Sequence, residues 1–300
     1  VSKVEVYDGA TLLGNATISG NSWSYTTAAL SDGSHSFTAK VYDNAGNAAT
    51  TTASVTATVD SVAAIGSISS SIAASTGTVN PISSGAVTKD STLGLSGTYA
   101  DANGVSRVEV YDGSTLMGNA TLSGGNWSYT TAALSDGLHS FTAKVYDNAG
   151  NTASTTSAVS ATVDTTSASG TVATTIGTNT GLSSSINSGE LTKDNTLALS
   201  GTASDANGVS KVEVYDGSTL LGNATLSGGT WSYSTGTLLD GLHSFTAKVY
   251  DTAGNAASTT TAVSALVDTT AAAGSFSTTI GTDSGSAATI ASGGLTKDNT

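Results

Sequence analysis

The segment VSKVEVYDGATLLGNAT at Val1 returns as VSRVEVYDGSTLMGNAT at Val105 and VSKVEVYDGSTLLGNAT at Val209, a step of 104 residues. Trp23, Trp127 and Trp231 keep that step, as do His35, His139 and His243, and Asp60, Asp164 and Asp268. Solenoid and propeller repeats run to roughly 20 to 50 residues, so this longer period matches one whole small domain. The chain therefore divides into a partial repeat at 1–60, complete repeats at 61–164 and 165–268, and a partial repeat at 269–300. It reads as a window cut from a longer array. Recent duplication preserves neutral residues along with needed ones, so divergence is the more informative signal. It concentrates between 61–88 and 165–192, over the first strand and the loop after it.

Within 61–164, short runs that alternate apolar and polar residues are separated by turn formers, the pattern of an all-β sandwich. Seven strands are expected near 65–72, 92–100, 105–111, 115–122, 126–134, 138–147 and 153–163. Asp112-Gly113, Gly124-Gly125 and Asp136-Gly137 supply the positive-φ residues of tight turns. Successive side chains of a strand face opposite ways. Val108 and Val110, Trp127 and Tyr129, and His139, Phe141, Ala143 and Val145 therefore point inward. On the outer face, antiparallel pairing of the third and sixth strands sets Glu109 near Lys144 and Arg107 near Tyr146. The fold class expected is all-β, with tandem seven-stranded immunoglobulin-like β-sandwiches arranged as an extended rod.

Composition removes several function classes. A net charge of −13 with nine Lys plus Arg leaves no electrostatic footprint for phosphates, so neither nucleic acid nor direct membrane insertion is expected. Divalent cations suit such a chain better. No run approaches the roughly 18 apolar residues of a membrane span. With no cysteine, disulfides cannot stabilise the domains, and bound metal is one substitute.

The His139-Ser140 pair beside Asp136 invites a catalytic-triad reading, which fails because adjacent strand residues face opposite sides. A histidine closing a turn is the simpler account, and no catalytic residue is assigned. Asn-Ala-Thr triplets at Asn15, Asn119 and Asn223 fit the glycosylation pattern but are common by chance in such a chain. Outward Tyr111 and Tyr146 leave a carbohydrate-binding module as a minor alternative.

The acidic loops carry the sharper signal. In a sandwich of this type the last strand ends where the next repeat presents the loops after its second and sixth strands. That placement gathers Asp60 with Asp101, Asn103, Asp147, Asn148 and Asn151, and Asp164 with Asp205, Asn207, Asp251 and Asn255. Carboxylates, amides and loop carbonyls are the hard oxygen ligands that Ca²⁺ prefers, and three converging carboxylates repel one another without a cation. Asp and Asn are also ordinary turn residues. Calcium is favoured because separate loops bring acids to the same end.

These residues resemble the bacterial Ig-like repeats of giant surface adhesins and biofilm-associated proteins secreted through type I systems. The matching stretches are LTKDNTLALSGT (191–202), VEVYDGSTLLG (212–222), WSY (231–233), DGLHSFTAKVYDTAGN (240–255) and VDTT (267–270). The resemblance implies Ca²⁺ at the linkers between repeats, at Asp60 and Asp164 and in the loops 147–151 and 251–255. Family linkers commonly continue with proline after D-T-T, whereas Ser167 and Ala271 stand here, so stiffness would lean more on metal. The function implied is that of an extracellular, cell-surface spacer, stiffened by calcium, that projects a distal binding domain for adhesion or biofilm formation. Its partners would be the neighbouring repeats of the same chain. The main alternative is a self-assembling subunit of an extracellular filament or matrix, with like molecules as partners.

Overall fold

The structure, a computed structural model, describes residues 1–50, 53–74, 81–154, 157–179, 184–259, 261–275, 279–281 and 289–291. All regular elements among the described residues are β-strands. By internal contacts the chain forms two compact units, the first made of 1–168, 205–210 and 250–256, the second of the rest.

Residues 65–163 form two sheets. One runs Ile82–Ser83, Ser71–Ala74, Leu93–Ala100, Asn126–Thr130, Thr121–Ser123, with Ile65–Gly66 also on Leu93–Ala100. The other runs Ala86–Thr88, Val159–Val163, Gly137–Asp147, Val105–Asp112, Thr115–Asn119, with Thr152–Ser154 also on Gly137–Asp147. Residues 169–267 repeat both sheets in the same order. Residues 1–59 form the counterpart of the second sheet and a hairpin of Thr17–Ser19 with Ser22–Ser24. The fold is thus all-β and of the immunoglobulin-like sandwich type.

Period-two alternation builds the core. Along Gly137–Asp147 the residues His139, Phe141, Ala143, Val145 and Asp147 are buried and those between them are not. Leu93, Leu95, Val108, Val110, Trp127, Phe141 and Val145 are each at most 2% exposed. The indole of Trp127 lies across Gly97 and donates from Nε1 to the Ser67 carbonyl at 3.0 Å. A Cβ at Gly97 would stand 1.9 Å from that carbonyl oxygen and 2.6 Å from Nε1, so only glycine fits. Gly201 stands in the same relation to Thr171 and Trp231.

Several expected strands are cut differently. The run 115–122 is two strands, because Thr115–Asn119 pairs with Val105–Asp112 and Thr121–Ser123 pairs with Asn126–Thr130 in the other sheet. The crossing occurs at Ala120, whose N–H donates to the Val108 carbonyl, and follows Gly118 at φ 151°, opposite a bulge between Val110 and Tyr111. The run 126–134 stops at Thr130. Beyond it the Thr131 hydroxyl accepts from the Leu93 N–H and the Leu134 N–H donates to the Ser91 carbonyl, so those residues bond the next strand's entry instead of a ladder.

The run 65–72 is interrupted between Ile65–Gly66 and Ser71–Ala74, although the Ser67 and Ser69 N–H groups still donate to Thr98 and Ser96. The run 153–163 divides into Thr152–Ser154 and Val159–Val163, with 155–156 outside the described residues. Ala86–Thr88, which no alternation announces, crosses to the second sheet and pairs parallel with Val159–Val163. Most of the partial repeat at 269–300 lies outside the described residues.

On the outer face the register does set Arg107 opposite Tyr146 and Glu109 opposite Lys144. The Glu109 carboxylate, however, takes Arg107 Nε at 2.8 Å and the Tyr111 hydroxyl at 2.7 Å. Those two donors hold its pKa down at about 2, the arginine first, and the same bond pushes Tyr111 up to about 12. The Arg107 guanidinium lies 3.5 Å from the centre of the Tyr146 ring.

Candidate metal centres

Three segments supply the first cluster. Val55–Val59 ends just before Asp60, Leu93–Ala100 just before Asp101, and Gly137–Asp147 ends on Asp147. One carboxylate oxygen from each lies within 4.8 Å of the other two. Asp164, Asp205 and Asp251 form a second cluster within the same limit. All six belong to the first compact unit. Asp147 and Asp251 are 1% exposed and Asp164 2%.

Hydrogen bonds set these carboxylates while leaving part of their capacity unused. The Asp147 Oδ1 accepts the Asn151 N–H and its Oδ2 the Asn151 side-chain amide, each at 2.8 Å. Burial pushes the Asp147 pKa up, but the Asn151 donors outweigh it and hold the carboxyl below its ordinary value. Asp101 Oδ1 caps its own turn through the Asn103 N–H at 2.8 Å, and Asp205 does the same with Asn207 at 2.7 Å. Asp60 Oδ1 accepts from Val62 N–H and Asp164 Oδ1 from Thr166 N–H, both at 3.2 Å. Their second oxygens, Asp60 Oδ2 and Asp164 Oδ2, are buried with no hydrogen-bond partner.

The asparagines hold the frame. Asn151 Nδ2 donates to the Asp60 carbonyl at 2.9 Å and Asn255 Nδ2 to the Asp164 carbonyl at 2.8 Å. Asn148 Nδ2 bonds the Asn103 carbonyl at 2.8 Å and so joins the two acidic loops. At the second cluster Thr252 replaces Asn148 and its hydroxyl donates to the Gly208 carbonyl.

The donor set fits a hard divalent cation. A buried carboxylate oxygen with no donor costs desolvation that nothing repays, and two more carboxylates beside it add repulsion. Only oxygens converge here, without the imidazole or thiolate that zinc or copper sites favour.

The histidines stand apart from these clusters. His139 bonds Asp112, not Asp136, through Nδ1 at 2.6 Å, and the Ser140 N–H bonds the other oxygen of Asp112. Asp136 turns instead to Thr165, taking its N–H at 3.0 Å and hydroxyl at 2.8 Å, and takes the Thr166 hydroxyl at 2.8 Å. These Asp136 bonds, missed in the sequence, hold the start of the segment that follows Asp164. The only hint was an Asp-Gly turn recurring 29 residues before a Ser or Thr.

No curated protein sequence matches this chain. Among the solved structures similar to this chain are three from adhesins. The calcium-stabilised adhesin with which an Antarctic bacterium binds ice is 24% identical, matched over 91% of this chain and 66% of that one, with a TM-score of 0.41. A 1.5-MDa bacterial ice-binding adhesin is 20% identical over 89% of this chain and 86% of that one, at 0.40. The tetra-tandem repeat from the extending region of a large adhesion protein is 24% identical over 89% and 66%, at 0.29. The family model for the bacterial Ig-like domain matches residues 1–61, 66–165 and 167–269 in succession. With the sandwich topology repeated at the same step, this assigns the chain to the bacterial Ig-like domain family.

Proposed function

We propose that these repeats are the non-enzymatic spacer of a bacterial cell-surface adhesin, and that Ca²⁺ held by Asp60, Asp101 and Asp147 and by Asp164, Asp205 and Asp251 stiffens their joints. The observation that carries the reading is the buried, unpartnered Asp164 Oδ2 beside two further carboxylates, repeated at Asp60. Each cluster draws one acid from the end of one repeat and two from loops of the next. An ion there would neutralise the carboxylates and tie the two repeats together. The side chains of Asn151 and Asn255 already join those segments through backbone carbonyls. The distal binding domain, the role in adhesion or biofilm, and the extracellular setting belong to the same proposal.

A ligand bound only by the ordered state stabilises it by about 1.4 kcal/mol at tenfold excess over Kd. Sites of extracellular modules bind in the range of about 10⁻⁴ to 10⁻³ M, so the joints would stiffen where calcium is abundant. The test is calorimetric titration of the full chain with Ca²⁺, with thermal melts and solution scattering before and after chelation. The expected result is two sites, with a lower midpoint and more compliant scattering once calcium is removed. No heat of binding, or identical melts and scattering with chelator, overturns the reading. Growth of scattering mass with protein concentration would replace the spacer by the self-assembling filament.

A further inference from the structure

Each of the three repeats places one histidine between two acceptors. His139 Nδ1 lies 2.6 Å from Asp112 Oδ2 and Nε2 lies 2.9 Å from the Ser135 carbonyl. His35 stands 2.5 Å from Asp8 and 2.9 Å from the Ser31 carbonyl, and His243 stands 2.6 Å from Asp216 and 2.9 Å from the Leu239 carbonyl. His35 and His139 are under one tenth exposed, and each of the three rings stacks on the phenylalanine two residues on.

A neutral imidazole has one N–H and one bare nitrogen. A carbonyl oxygen can only accept, and the Asp112 carboxylate is already an acceptor for the Ser140 N–H through its other oxygen. Two acceptors on opposite sides of one ring are satisfied together only when both nitrogens carry protons. We propose that these three histidines are imidazolium latches, which hold the turn ahead of the long central strand closed at neutral pH and release it as the solution becomes alkaline.

The surroundings of the ring agree. Asp112, from the neighbouring strand, is the charged group that faces His139. The strand on the other side sets Ala161 opposite it in register, and the stacked neighbour is Phe141. Asp136, next to Ser135, directs its carboxylate to Thr165 and Thr166. Burial pushes the His139 and His243 pKa values down, but the carboxylate and carbonyl acceptors outweigh it and both end raised. For His35 the Asp8 bond is the largest influence and the pKa is again raised. With a folded pKa above the unfolded value of about 6.5, the stabilisation is complete below that pH and is lost as pH rises through the folded pKa.

The latch acts on the joint as well as the turn. Ser135, whose carbonyl it grips, directly precedes Asp136, which anchors Thr165 and Thr166. Leu239 and Asp240 stand in the same relation to Thr269 and Thr270, and Ser31 and Asp32 to Ser61. Releasing the carbonyl therefore loosens the residue that anchors the following segment.

The chain has three histidines and no cysteine, so at ordinary side-chain pKa values the groups that titrate between about pH 6.5 and 9 are the imidazoles and the terminal amine. The test uses the full chain in chelator, so that calcium plays no part. Ring-nitrogen NMR is recorded with thermal midpoints across this range, for wild type and for the triple variant D8N/D112N/D216N. An asparagine in place of Asp112 keeps an acceptor for Ser140 and offers an amide donor to a bare Nδ1, so a neutral ring fits. We expect doubly protonated rings in the wild type at pH 6.5 and a midpoint that falls as pH rises. In the variant the histidine pKa values drop and the midpoint no longer depends on pH over this range. Neutral rings of a single tautomer at pH 6.5 in the wild type, or a pH slope that the triple variant retains, overturns the proposal.

Discussion

The clusters around Asp60 and Asp164 present the same three carboxylates in the same arrangement, yet they are closed to different degrees. Asp164 is 2% exposed, whereas Asp60 is only partly buried. The difference comes from the residues that follow. Thr166 gives Asp136 a third hydrogen bond, and its carbonyl takes a second bond from Asn255 at 3.3 Å. In the first cluster Val62 occupies that position, so Asp32 receives only the N–H and hydroxyl of Ser61. Val62 and Ile65 are 61% and 70% exposed, and a surface cavity of about 480 Å³ opens beside Asp32, Asp60 and Asp101. The acids are thus set by the repeated turns, while the closure of each cluster is set by the divergent segment between repeats.

The largest effect we expect lies outside both clusters and tests whether the two repeats are otherwise alike. Gly97→Ala and Gly201→Ala each force a Cβ to 1.9 Å from a backbone carbonyl oxygen, and each destabilises its repeat by about 3 kcal/mol in denaturant unfolding. Unequal losses would place part of the difference in the sandwiches themselves. Next, Asp164→Asn should weaken the proposed calcium binding at its cluster by about tenfold in titration calorimetry, and more than Asp60→Asn does at the less buried one. Equal losses would detach affinity from closure.

Acid should open the second joint in a defined window. Thr165 and then Thr166 hold the Asp136 carboxyl below its ordinary pKa. The stabilisation is therefore present above the unfolded value of about 3.9 and is lost as pH falls through the lower folded value. Amide-exchange protection at Thr165 that stays constant through that range would remove Asp136 from the account. The smallest effect is Val62→Thr, which supplies the missing hydroxyl to Asp32 and stabilises the first joint by about 0.5 kcal/mol in thermal melts. Thr166→Val should carry the second joint the opposite way.

How much of this was legible in the sequence depended on range. Alternation along 105–111 and 138–147 identified the strands and their inward faces because the period-two signal is local. Ala86–Thr88 was not legible, because three residues carry no period and the parallel partner is 75 residues away at Ala161. The switch at Ala120 was hidden for a similar reason, since the run 115–122 looks continuous until its two halves find different sheets. Among the candidate ligands, Asp60, Asp101 and Asp147 were recognisable as acids in turns. Their gathering at one end followed from the topology expected of such a sandwich, and the structure brings one oxygen of each to within 4.8 Å of the others. The asparagines were read as ligands from loop placement and oxygen chemistry, and in the structure the Nδ2 atoms of Asn148, Asn151 and Asn255 brace loops and backbone.

The sequence by itself determined the repeat length, the strand character and the residue types at each turn, because these follow from local periodicity and backbone preference. Tertiary structure alone decided that Asp112 and not Asp136 holds His139, and that one oxygen of Asp164 is buried without a donor. Both depend on which side chains long-range strand pairing brings together and on how far water is excluded from them, and neither quantity is written in any short stretch of chain.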